Sequence, residues 1–319
     1  MGVFPAAERL MHPPLAAAIS DAGIGGLPIF LALIAAVAFV GGSSVSFLAL
    51  GHRPMQVLLS LAGGVLLGVG LLHLLPHAAH ALRGEVETAA IWAVVGFFLM
   101  FLLERVFHGH AHHTADDDAH ECGHAHDHHH HAAGPAAGPA AGTGRWAWLG
   151  AFAGLALHSL ADGAALAASV RADVAHGGGL LSGLATFLAI LLHKPFDAAI
   201  IATLMIGAGA TSRGRTLVNA AYALVVPLGA IGFLASLRLI GAHQGDALGI
   251  AMAMAAGAFI CIAAADLLPE VQFHSHDRVL LTASLALGLA IAWGITVLER
   301  SSHAHAAHAP ARVAAPPAP

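Results

Sequence analysis

Of 319 residues, 58% are apolar and only 10% charged, and the mean hydropathy is +0.78. A soluble domain would carry about 25% charged residues, so the fold class expected is an all-α polytopic membrane protein. The net charge of −5 is modest and there is no basic patch, so no nucleic-acid partner is expected. The two cysteines, Cys122 and Cys261, make no disulfide framework.

Residues 1–26 carry Arg9 but no signal-peptide pattern, so the first apolar segment is expected to insert as a helix and stay. Eight apolar segments follow, at approximately 27–50, 56–82, 88–107, 146–171, 178–209, 215–240, 246–272 and 279–299. Each is near or above the ~20 residues that a spanning helix needs. Three transmembrane helices therefore fall within 27–107 and five within 146–299. Between them, 108–145 holds eleven histidines, three consecutive aspartates (Asp116 to Asp118) and a Gly/Pro/Ala run. Such a composition builds no core, so this segment is expected to be a disordered loop, as is the His/Ala/Pro tail at 300–319.

The joints after segments 1, 3, 5 and 7 carry Arg53, Arg105, Arg145, Arg213, Arg215 and Arg278. Those after segments 2, 4 and 6 carry only Arg83, Arg171 and Arg238. This bias puts the His-rich loop in the cytoplasm and both termini outside.

An internal echo links segments 2 and 7. Gly64 to Pro76 and Gly257 to Pro269 have the same spacing, and both end in Leu-Leu-Pro. Segments five apart cross the membrane in opposite senses, so the echo predicts an inverted repeat around a midplane site.

That site is expected on segments 4 and 5. His158 and Asp162 are four residues apart, as are His193 and Asp197. On a helix each pair shares a face. An Asp near the bilayer centre costs roughly 2.5–3.5 kcal/mol on insertion scales, so two such pairs call for a role. Two imidazoles and two carboxylates suit a divalent transition metal such as zinc, with Fe²⁺, Mn²⁺, Cd²⁺ and Co²⁺ as other substrates of the same ligand set. The ion would be cargo, and no cofactor is expected. The bland alternative is interhelical hydrogen bonding between buried polar groups. Pro195 frees the carbonyl of Leu191, which could face a cation only if it lines a cavity. Ser159, Thr186 or Thr203 could add an oxygen.

His73 and His77 share a face of segment 2, and Asp266 and Glu270 hold corresponding places on segment 7. They are expected to line the pathway, one cluster on each side. In the loop, His124, His126 and His128 would form a weak metal buffer.

These residues resemble the ZIP (ZRT/IRT-like) metal transporters, in a divergent bacterial-type form. In that family helix 4 carries His-Asn-x-x-Glu-Gly, matched by His158-Ser159-Leu160-Ala161-Asp162-Gly163. Helix 5 carries a His or Gln with an acid four residues on, matched by His193 and Asp197. The Leu-Leu-Pro turns and the His-rich loop between helices 3 and 4 are similar too. The resemblance implies a 3+2+3 bundle, often a homodimer, moving divalent metal toward the cytoplasm by rocking or elevator motion, in the cell's inner or plasma membrane. Five positions depart from it. Both acids are Asp rather than Glu, and Ser159 replaces Asn. Lys194 and Val226 stand where some members place ligands for a second metal, and a Lys194 ammonium could fill that place as a tethered cation. The alternatives weighed are a cation-diffusion facilitator exporting metal and a zinc-dependent membrane hydrolase.

Overall fold

The computed structural model describes residues 26–45, 52–108, 147–175, 181–267 and 277–307. Among these there is no strand, and eight helices are long and apolar enough to cross a membrane. The reason is local: Ala and Leu are the strongest helix formers, and a helix apolar all round needs either a core or a bilayer.

Helix α1 is Leu27–Ser44. Helix α2 runs His52–Gly68, widens into a π turn over Val69–Leu74, and resumes over Leu75–Ala81. Helix α3 is Val86–His108, α4 Ala147–Ala175 and α5 Leu184–Gly207. Helix α6 is broken at Leu224 into Ser212–Ala223 and Val225–Ile240. The break falls where Pro227, lacking an N–H, cannot bond the carbonyl of Ala223. Helix α7 is Gln244–Ile262 followed by a π turn over Ala263–Leu267, and α8 is Arg278–Ala307.

The expected spans hold to within a few residues at most ends. The larger departures are α8, which runs on to Ala307, and α5, which begins only at Leu184; α4 continues past Arg171 to Ala175.

The inverted repeat is visible in how helices pair. The closest partners are α1 with α5, α4 with α6, α2 with α8, and α3 with α7. Exchanging helices 1, 2, 3 and 4 with 6, 7, 8 and 5 turns the first pair into the second and the third into the fourth. The echoing glycines sit at matching seams. A Cβ on Gly64 would meet the backbone of Leu285 in α8, and one on Gly257 would meet that of Ala93 in α3. Small residues let membrane helices approach this closely. The two π turns also correspond, each running into a Leu-Leu-Pro sequence. An extra residue in the turn before a proline relieves the clash of its ring with the preceding turn.

Candidate metal centre

Helices α4 and α5 pack side by side, and the two His–Asp faces meet. His158 Nε2 lies 3.3 Å from His193 Nε2 and 3.3 Å from Asp162 Oδ2. His193 Nε2 lies 3.4 Å from the same oxygen. Ligands held 2.0–2.1 Å from a tetrahedral ion are about 3.3–3.4 Å apart. The three donor atoms therefore already mark one face of a zinc-sized tetrahedron, and all three side chains are buried. Asp197 Oδ2 stands further off, 3.8 Å from His158 Nε2 and 4.0 Å from His193 Nε2.

The imidazole of His193 is oriented by its own helix. Its Nδ1–H donates to the carbonyl of Ala189 at 2.7 Å, which leaves the Nε2 lone pair facing the site. A carbonyl behind a ligating His fixes the tautomer in this way. The ring of His193 also meets Phe259 of α7 edge-on.

Lys194, fully buried, occupies the space between the carboxylates. Its ammonium donates to Asp162 Oδ2 at 2.6 Å and to Asp197 Oδ2 at 3.0 Å. The ammonium and both histidines thus converge on one oxygen of Asp162. The lysine pairs with both aspartates.

Ser159 serves this arrangement from behind. Its hydroxyl donates either to the carbonyl of Leu155 (2.6 Å) or to the Tyr222 hydroxyl (2.9 Å). Tyr222 of α6 donates on to Asp197 Oδ2 at 3.2 Å. Tyr222 was missed from the sequence, although it is the only tyrosine in the chain. Val226 is buried at the α4–α6 seam, where its carbonyl abuts Gly163.

Some expectations fall elsewhere. Pro195 packs against Gly41 of α1; two residues along a helix is about 200° of rotation, so it faces away from His193. Thr203 is exposed and donates to its own helix at Ala199. Thr186 belongs to a second cluster, in which His73 and His77 of α2 meet Asp173 of α4. Asp173 was also missed, because Arg171 reads as the end of the helix. Asp266 lies in the π turn of α7; its side chain, and the whole of Glu270, His124, His126 and His128, lie outside the described residues. Cys261 is buried.

A cavity of about 550 Å³ opens between α3, α4 and α7 and reaches His158 and Asp162. Its remaining walls are apolar, among them Leu99, Met254 and Phe259. A hydrated cation finds no ligands along that route.

Eight apolar helices paired by an internal inversion, around a buried set of two imidazoles and two carboxylates, make this an integral membrane protein with a candidate metal centre at its core. The chain belongs to the ZIP zinc transporter family, which residues 19–299 match. Similar proteins include zinc transporter ZIP9-B of Xenopus laevis, 25% identical over 272 residues, covering 71% of this chain and 79% of the relative. Zinc transporter ZIP9 of Xenopus tropicalis is 26% identical over 270 residues, covering 70% and 78%. ZIP9 of Micropogonias undulatus is 25% identical over 193 residues, covering 58% of this chain and about half (52%) of its own. The family is one of transporters, not enzymes, so the hydrolase alternative falls, and the facilitator alternative falls with the family assignment.

Proposed function

We propose that this protein carries zinc across its membrane toward the cytoplasm, binding it at His158, Asp162 and His193 with Asp197 completing the set. The observation that carries this reading is the trio of donor atoms 3.3, 3.3 and 3.4 Å apart, spacing that a hydrogen-bonded packing contact has no reason to adopt on all three edges. The relatives named as zinc transporters support zinc as the cargo. The same ligands would accept Cd²⁺, Co²⁺, Fe²⁺ or Mn²⁺ with an order set by geometry as much as affinity. The arginine bias of the joints supports placing the His-rich loop on the cytoplasmic side, where its histidines would receive an inward-moving ion.

Zinc uptake into proteoliposomes, wild type against His158→Ala, tests the reading. Inward flux abolished by the substitution is the expected result. Uptake by the variant at the wild-type rate would place the pathway elsewhere.

A further inference from the structure

The second cluster lies off the central site. Asp173 is eleven residues beyond Asp162 on α4, about 16 Å along the helix axis at 1.5 Å per residue. His73 sits in the π turn of α2 and His77 one turn further on, their ring centroids 4.4 Å apart. His77 Nδ1 lies 3.1 Å from Asp173 Oδ1. One donor atom from each of the three residues falls within 4.8 Å of the others.

The surroundings orient these donors. Asp173 Oδ2 accepts the backbone N–H of Gly183 at 2.6 Å, which turns Oδ1 toward His77. Gly183 opens α5 with a left-handed φ of 78° that only glycine adopts readily. Ser169 Oγ lies 3.2 Å from His73 Nε2 and accepts the Thr186 hydroxyl at 2.9 Å. Two imidazoles, a carboxylate and a neighbouring hydroxyl are again a zinc-type donor set. A bound ion would draw donors that now lie within 4.8 Å of one another to the tetrahedral spacing of ~3.4 Å, a closure of at most ~1.4 Å that is within reach of side-chain rotation.

Exposure separates the two sites. Every histidine and aspartate of the central trio is closed off, whereas the His77 side chain is 25% exposed beside a buried Asp173. The cluster also lies toward the end of the bundle formed by the α2–α3 and α4–α5 joints, the outer end by the arginine bias.

We propose that His73, His77 and Asp173 form a second divalent-cation site, a loading station where the metal exchanges its water for protein ligands before moving inward to the centre. Its role as a station rests on the transport reading; its ligand set does not. An alternative purely structural role, tying α2 to α4 and capping α5, would need no metal.

The test is anomalous scattering from crystals of the full chain grown with Cd²⁺, paired with zinc uptake by proteoliposomes. Two peaks are expected, one among His158, Asp162 and His193 and one among His73, His77 and Asp173. His77→Gln, which leaves the Gly183–Asp173 bond in place, should erase only the second peak. It should raise KM for zinc about tenfold or more, the scale of losing a metal-site contact, with little change in maximal rate. His73→Gln serves as the second variant and should behave alike. Cd²⁺ at the central position alone, or a KM unmoved in both variants, would overturn the proposal. A peak at the second cluster without one at the centre would overturn the central-site reading and leave this one standing.

Discussion

Replacing Lys194 with methionine keeps an unbranched side chain, one atom shorter, and removes its charge. In the structure the Lys194 ammonium lies 2.6 Å from Asp162 Oδ2, the oxygen shared with both histidines. An ion bound to that oxygen at about 2.0–2.2 Å would be no more than ~4.8 Å from the ammonium where it now sits. The repulsion between a divalent ion and an ammonium at that distance is about 7 kcal/mol at an effective dielectric of ~20. On the proposed reading, zinc would therefore load only as Lys194 swings away, and Lys194 would return when zinc leaves. Counting each carboxylate as −1 and the ammonium as +1, the site passes from −1 empty to +1 loaded. In Lys194→Met it would pass from −2 to 0.

The variant should thus bind zinc more tightly. A tenfold fall in Kd needs only about 1.4 kcal/mol, a small part of the repulsion removed, so tenfold is the least expected by titration calorimetry of the purified protein. Two buried carboxylates left without their cation should lower the stability of the zinc-free variant, on the order of 3–5 kcal/mol. Zinc should restore it, raising Tm more in the variant than in the wild type. Maximal uptake should fall, because the empty carrier must now return with a net charge of −2. Unchanged or weaker zinc affinity, with a lowered Tm that zinc does not rescue, would refute the competition between lysine and metal.

Two further outcomes follow from the same geometry. Zinc binding requires unprotonated imidazoles and carboxylates, so initial uptake, with pH equal on both sides, should weaken as pH falls; a profile that stays flat into the acid range would count against these ligands. Gly163 follows Asp162 at the α4–α6 seam, where a Cβ would lie 2.1 Å from the Val226 carbonyl oxygen and 2.6 Å from Ala230 N. Gly163→Ala should therefore lower Tm by an amount matching about 1–3 kcal/mol of overpacking, and a wild-type Tm would show that the seam yields freely.

The convergence of His158, Asp162, His193 and Asp197, the proposed metal ligands, was legible in the sequence because each pair lies within one helical turn, so one spacing fixes a shared face. Lys194 was legible as an anomaly for the same reason. Tyr222 and Asp173 were not, since neither is close in sequence to its partners. Tyr222 is 25 residues from Asp197 and reaches it from a different helix, α6. Asp173 reaches His77 only because α4 continues past a charged residue that reads as its end.

The four helix pairings give a physical account of that difference. The scaffold repeats itself: Gly64 and Gly257 sit at equivalent seams, and each of the two π turns leads into a Leu-Leu-Pro sequence. Repetition is visible in one dimension because each half must solve the same packing problem with similar residues. The polar groups need not repeat, because an ion crossing the membrane meets the two ends in different order. His73 and His77 on α2 correspond to Asp266 and Glu270 on α7, imidazoles against carboxylates. A ligand built across helices is thus specified by two separate facts, the rotation that a π turn imposes and the residue that happens to face the gap. Only the second is written at a single position of the sequence.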